Sequence, residues 1–104
     1  MKLLITTQIY ENYGAHEWDG KGECPQYWKA KGGMDYAVRG IKNSELATMA
    51  VMSLRDKIEQ NNEYYRESII GWVLVSNDYL TDFEKSQLEH EGKIRFSPKE
   101  LEWA

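Results

Sequence analysis

Two residues in the first quarter of the chain have the chemistry for nucleophilic catalysis. Cys24 and His16 share one glycine-rich segment, with Asp19 or Glu17 near enough in sequence to orient an imidazole. A thiolate nucleophile needs an electropositive setting or a helix N-terminus. Cys24 stands instead between Glu23 and Pro25, and a neighbouring carboxylate raises a thiol pKa. A half-buried structural thiol is therefore the expectation, and a small enzyme built on Cys24 and His16 is an alternative. The same segment gathers His16, Asp19, Glu23 and Cys24, but without CxxC or HxxxH spacing, and the second histidine is the distant His90. A structural zinc site wants four N or S ligands, and the chain has three such residues in all. The acidic loop lacks the spacing of an EF-hand. Asp19-Gly20-Lys21-Gly22 has glycines and a lysine, yet it is not GxxxxGK[ST] and leads to no helix. Acidic residues are plentiful, but none sits in a recognisable acid–base pair. The reading is no metal, no cofactor and no catalytic residue.

Recognition is the chemistry these residues favour. Tyr13, His16, Trp18, Tyr27 and Trp28 are interleaved with Lys21, Lys29 and Lys31. Tyrosine and tryptophan offer rigid amphipathic area and are enriched at binding hot spots. Rings alternating with lysines also suit base stacking with phosphate contact on single strands. The competing explanation is that Tyr27, Trp28 and Tyr36 simply pack on a helix or across a hairpin. A second candidate surface is acidic. Between Asp78 and Glu91, the carboxylates Asp78, Asp82, Glu84, Glu89 and Glu91 face Lys85 alone. Such a run is ordinarily a solvated helix face, but it could also occupy a basic groove in place of DNA.

The elements that position these residues follow from local pattern. Residues 2–10 alternate, with Leu3, Ile5, Thr7 and Ile9 on one side, which predicts a strand. Residues 11–25 have no period and read as a long loop, of a length that in compact domains is often functional. Gln26–Lys31, Gly32-Gly33 and Met34–Arg39 read as a hairpin with a two-residue turn. That register sets Lys29 opposite Tyr36, Tyr27 opposite Val38 and Trp28 opposite Ala37. Asn43 or Ser44 caps a helix to about Gln60, with Leu46, Ala47, Ala50, Val51, Leu54 and Ile58 as its buried stripe and Met49 and Met52 as core filler.

Ile69–Val75 is apolar without alternation and predicts a strand covered on both faces near the middle of the sheet, with Gly71 marking a bulge or a close approach. Thr81-Asp82-Phe83-Glu84 is a capping box opening a short helix that has Phe83 and Leu88 as its apolar residues and stops at Gly92. Lys93–Ser97 reads as a last strand, and Ser97-Pro98-Lys99-Glu100 as a second capping box opening a terminal turn. The order β-β-β-α-β-α-β gives one α+β domain over residues 1–104: a largely antiparallel sheet of four or five strands, with one long helix on one face. An open sheet has two edges to protect, so a homodimer through an edge strand is an expected option.

Composition bounds the partners. Residues 1–52 carry six basic and six acidic side chains, so the net charge of −4 lies wholly in residues 53–104. The net field does not draw this chain to nucleic acid, which leaves only a local basic patch for direct contact. A single cysteine excludes an internal disulfide and fits a reducing cytoplasm. No apolar run reaches the length of a membrane span, and the first residues turn polar too soon for a signal-peptide core.

The stretch from Thr6-Thr7-Gln8-Ile9-Tyr10-Glu11-Asn12-Tyr13-Gly14 through Trp18-Asp19-Gly20-Lys21-Gly22-Glu23-Cys24-Pro25 to Gln26-Tyr27-Trp28-Lys29 resembles the opening of small uncharacterised proteins of tailed phages and prophages. A fainter likeness runs from Leu80-Thr81-Asp82-Phe83-Glu84 through Glu91-Gly92. The resemblance brings no assigned residues. It implies a phage setting in the host cytoplasm, where small acidic proteins bind and disable host machinery such as restriction or CRISPR systems. The expectation is therefore a non-enzymatic binder of a host protein or protein–nucleic acid complex, acting by occlusion or acidic mimicry. A single-strand nucleic-acid binder is the alternative.

Overall fold

The alternation that begins at Lys2 becomes the strand β1 (Lys2–Asn12), and every other strand but two is placed directly against it. The computed structural model describes residues 1–103. On one side of β1 lies β5 (Tyr65–Val75), antiparallel over its whole length from Lys2 opposite Val75 to Glu11 opposite Tyr65. On the other side lie β2 (Trp28–Gly32), against Ile9–Asn12, and β3 (Asp35–Arg39), against Lys2–Thr6. The two-residue β4 (Gln60–Asn61) borders β5, and β6 (Lys99–Leu101) runs parallel to β3. The order is β4-β5-β1-β3-β6, an α+β sheet that is antiparallel apart from its last pair.

β2 and β3 do not form the hairpin expected from Gly32-Gly33. They follow one another along the same edge of β1, both antiparallel to it, so the glycines are a kink within one interrupted strand. The Thr7 N–H donates to the Met34 carbonyl at 2.9 Å across this kink. Gly32 takes a φ of +101°, and a Cβ on Gly33 would run into the Thr7 carbonyl oxygen. Glycine is needed here for a left-handed residue and a close backbone approach rather than for a reversal. The expected pairings change accordingly: Lys29 lies opposite Glu11 and Trp28 opposite Asn12, while Tyr27 precedes the strand.

The helix α1 (Ser44–Ile58) forms where its stripe predicts. The Asn43 side chain accepts from the Leu46 N–H at 2.9 Å, and Ala47, Ala50, Val51, Leu54 and Ile58 are buried. They meet Leu3, Ile5, Tyr36, Val38 and Ile41 in one core, with Leu74, Ile69, Leu101 and Trp103 at its border. Close packing of such side chains is worth about 1.5–3 kcal/mol for each one fully buried, and this layer is the main source of stability. Met49 and Met52, expected in the core, are exposed on the outward side of α1. At the far end of the core, the buried Glu67 accepts from the Thr7 hydroxyl at 2.7 Å and the Tyr36 hydroxyl at 2.6 Å. Burial, and then the Glu67 carboxylate, push the Tyr36 phenol pKa up.

The opposite face of the sheet is less covered than the apolar run in β5 suggested. Ile70 is 64% exposed and Val73 50%, because only one face of β5 carries a helix layer. Ile70 is the extra residue of a bulge opposite the Thr6–Thr7 step. The second helix, α2 (Asp82–Glu91), has the expected capping box and a left-handed Gly92 stop. Its apolar residues nevertheless face out, with Phe83 60% exposed, while Glu84 and Gln87 are buried.

Gln87 holds the following segment by its backbone. Its Oε1 accepts from the Arg95 N–H at 2.9 Å and the Phe96 N–H at 2.8 Å, and its Nε2 donates to the Phe96 carbonyl at 2.7 Å. With those groups taken, Lys93–Ser97 is not the strand expected. The last strand forms instead at Lys99–Leu101, where a helical turn was expected. Ser97 caps nothing; its hydroxyl donates to Glu84 at 3.1 Å. Among the described residues no helix is long and apolar enough to cross a membrane.

Candidate functional site

The tip of the sheet beyond α1 is organised by two polar residues at the end of β1. Asn12 is fully buried, and its amide satisfies four backbone groups from three segments. Its Oδ1 accepts from the Gly14 N–H at 3.0 Å and the Tyr27 N–H at 2.8 Å. Its Nδ2 donates to the Pro25 carbonyl at 2.8 Å and the Glu63 carbonyl at 3.0 Å. The first bond caps a short 3-10 turn, Tyr13–Glu17. The others close the long loop at its far end and tie it to the turn before β5. Asn62 does similar work in that turn, accepting from the N–H groups of Tyr64 and Tyr65 at 2.8 Å each. An asparagine side chain that mimics a backbone turn is a common way to hold irregular chain in one shape.

Glu11 is the electrostatic centre. Its carboxylate is buried under the groups that bind it: Lys31 Nζ at 2.9 Å, His16 Nε2 at 3.1 Å and the Tyr65 hydroxyl at 3.2 Å. The Lys31 ammonium, and after it the His16 ring, hold the Glu11 pKa at about 2 rather than 4.5, against the opposing effect of burial. The same pair raises the Lys31 pKa. Around this centre the rings and cations interleave. His16 lies 6.2 Å from Tyr13 and 6.0 Å from Tyr64, centroid to centroid. Lys29 Nζ sits 5.6 Å from the Tyr13 ring and 5.1 Å from the Tyr27 ring, and Lys31 Nζ 5.9 Å from that of Tyr65. Such cation–π contacts are worth about 0.5–1 kcal/mol each where exposed, enough to bias rotamers. Tyr27 remains 58% exposed, and Tyr13, Tyr64 and Tyr65 are also open to solvent.

Of the residues that the sequence singles out, Tyr13, His16, Tyr27, Lys29 and Lys31 meet here. Trp28 turns to the other face, where the Arg66 guanidinium stacks on its ring at 4.0 Å. Trp18 and Lys21 belong to a local turn of their own: the Trp18 indole donates to the Lys21 carbonyl at 3.2 Å, and Asp19 accepts from the Lys21 N–H at 2.9 Å. The Cys24 and His16 side chains are not partners. His16 bonds Glu11, whereas the Cys24 thiol donates to the Pro25 carbonyl at 3.6 Å and lies 3.8 Å from the Asn12 amide. Burial and then the charge of Glu63 push the thiol pKa up, away from a reactive thiolate.

The acidic surface is smaller than the sequence suggests. Glu84 is only 5% exposed, consumed by Thr81 and Ser97, and so is not a surface group. Glu91 pairs with Arg95 at 3.5 Å, which leaves Asp78, Asp82 and Glu89 in solvent. Among the described residues no three His, Cys, Asp or Glu side chains converge as a metal site requires.

Reading by sequence missed Glu11, Asn12, Tyr64, Tyr65 and Arg66. A signal for Asn12 existed: Asn followed two residues later by Gly at a strand end is a side-chain turn pattern, and so is Asn62 two residues before the Tyr64-Tyr65 pair. No protein-family model, no curated protein and no solved structure matches the chain.

Proposed function

We propose that this chain is a non-enzymatic binding protein of phage type that disables host machinery by steric occlusion, with the tip around Glu11 as its contact surface. The observation that carries the reading is a set of exposed rings, Tyr13, Tyr27, Tyr64 and Tyr65, held beside Lys29 and Lys31 by two buried side chains. Rings and cations fixed before contact lose little freedom on binding, which favours affinity. With Glu84 buried and Glu91 paired, the acidic helix offers fewer charges for mimicry of DNA, so occlusion through the tip is preferred.

The test is capture from a bacterial host lysate, at low and at physiological salt, by three proteins: wild type, the double variant Tyr27→Ala with Lys29→Ala, and the double variant Asp82→Asn with Glu89→Gln. One host protein or protein–nucleic acid complex is expected on wild type and on the α2 variant, and not on the tip variant. Retention no better than that of a scrambled chain overturns the proposal. Loss on the α2 variant alone moves the contact to the acidic helix.

A second reading, single-strand nucleic-acid binding, is favoured by the Arg66 guanidinium stacked on the Trp28 ring, on the face of the sheet opposite Lys29 and Lys31. It requires oligonucleotides to quench tryptophan fluorescence, with affinity falling steeply as salt rises. An unchanged emission spectrum at low salt rejects it.

A further inference from the structure

Each strand edge in this sheet is either short, charged or covered, except one. β6 is three residues long, β4 only two, and the outer edge of β2 carries Lys29 and Lys31. These are the ordinary devices that stop sheets from adding strands. β5 lacks them. Its first residues pair with β4 at Arg66 and Glu67, and the Ile69 N–H is taken by the Glu59 carboxylate at 2.9 Å. From Ile70 to Val75 the strand has β1 on one side and, among the described residues, no strand on the other. The segment Ile70-Gly71-Trp72-Val73-Leu74-Val75 contains no charge and no proline. Ile70, Trp72 and Val73 are the large apolar side chains left in solvent on it.

We infer that the open edge of β5 is a self-association site, where two copies pair antiparallel about a two-fold axis to make one continuous sheet. Three features select a second copy over a foreign peptide. An antiparallel pair of identical strands sets each residue against a fixed partner in both directions, which closes the assembly at two. The absence of charge from Ile70 to Val75 means that this self-pairing brings no like charges together. The single chain is also thin and spread, 50 × 36 × 17 Å, with a radius of gyration of 16.7 Å, against about 13 Å for a compact domain of some 100 residues. A second copy buries the apolar edge that this shape leaves open. The inference is independent of the tip, which lies at the other end of β1.

The experiment is sedimentation velocity on the full chain over a concentration series, with Ile70→Lys and Val73→Lys as separate variants. Wild type is expected to sediment at twice the chain mass and both variants at the chain mass, with circular dichroism spectra like wild type. Because each chain carries a net charge of −4, the dimer is expected to tighten as salt rises, through screening of the repulsion. Hydrogen exchange supplies a readout that does not depend on variants folding: amides in residues 70–75 are expected to be protected in concentrated wild type and to lose that protection on dilution. A wild type that stays at the chain mass up to its solubility limit overturns the inference. So does a dimer that survives both lysine substitutions, or one abolished by Tyr27→Ala with Lys29→Ala.

Discussion

The tip and α2 solve the same problem, anchoring chain to the edge of a small core, with opposite materials. The tip is almost all irregular chain, yet its organising side chains, Asn12 and Glu11, are buried and multiply bonded. α2 is a regular helix with both caps in place, yet its apolar residues Phe83 and Leu88 lie outside. Regularity and burial are thus separate properties. The loop is held by what lies inside it, and the helix by the polar bonds of Glu84 and Gln87 to the segment that follows. The contrast predicts which substitutions spread through the molecule and which stay local.

The largest effect is expected at Asn12. Asn12→Ala removes the partner of four half-buried backbone groups, and with about 1 kcal/mol for each bond lost, the low end for groups that water can reach, a global loss of about 3 kcal/mol is expected. Urea unfolding measures it directly, and hydrogen exchange is expected to quicken at both Gly14 and Tyr27. A loss confined to the loop, with the urea midpoint unchanged, would break the comparison, since the tip would then be as local as α2.

Gln87→Ala comes next, at about 2 kcal/mol for the bonds to Arg95 and Phe96, but with a different distribution. Amides from Asp82 to Phe96 are expected to exchange faster while those of β1 and α1 keep their protection, because α2 opens as a separate unit. Equal acceleration in β1 would show that the helix supports the core after all.

Much of this architecture is legible in the chain because it rests on short-range pattern. The α1 stripe, the Asn43 cap, the Thr81–Glu84 box and the Gly92 stop each depend on residues within one or two turns of one another. The failures share a cause of the opposite kind. Gly32-Gly33 serves a turn or a kink equally well, and the Thr7 carbonyl that decides between them lies far back in the chain. The apolar run in β5 looks buried on both faces because local pattern says nothing of whether a second layer exists. Glu84 counts as surface charge until its partner Ser97 is known. At the site, Tyr13, His16, Tyr27, Lys29 and Lys31 stand out by type, but Glu11, which joins them, looks like any loop carboxylate until β5 delivers Tyr65 to it.

A smaller and pH-dependent effect is expected from Glu11. Its folded pKa of about 2 lies below the ordinary 4.5, so the unfolded chain binds the proton more readily. The pairing with Lys31 and His16 therefore adds stability that is fully present above pH 4.5 and is lost as pH falls towards 2. Lys31 is largely exposed, which keeps the contribution below that of Asn12. Urea midpoints taken across this window are expected to fall less steeply for Glu11→Gln than for wild type. Parallel curves would remove Glu11 as the electrostatic centre of the tip and leave Asn12 as its only anchor.

The smallest effect is expected where ordinary intuition looks for a large one. Removing a buried phenylalanine costs about 3–5 kcal/mol, and Phe83 sits in the first turn of a well-capped helix. Its ring is nevertheless 60% exposed, and the buried positions of α2 belong to Glu84 and Gln87. Phe83→Ala should therefore shift stability by no more than about 0.5 kcal/mol, as for a surface site. The urea midpoint of that variant, set beside that of Gln87→Ala, tests the polar anchoring of α2 directly. If the alanine at Phe83 proves the more costly of the two, α2 is held by its apolar side like an ordinary amphipathic helix, and its contrast with the tip disappears.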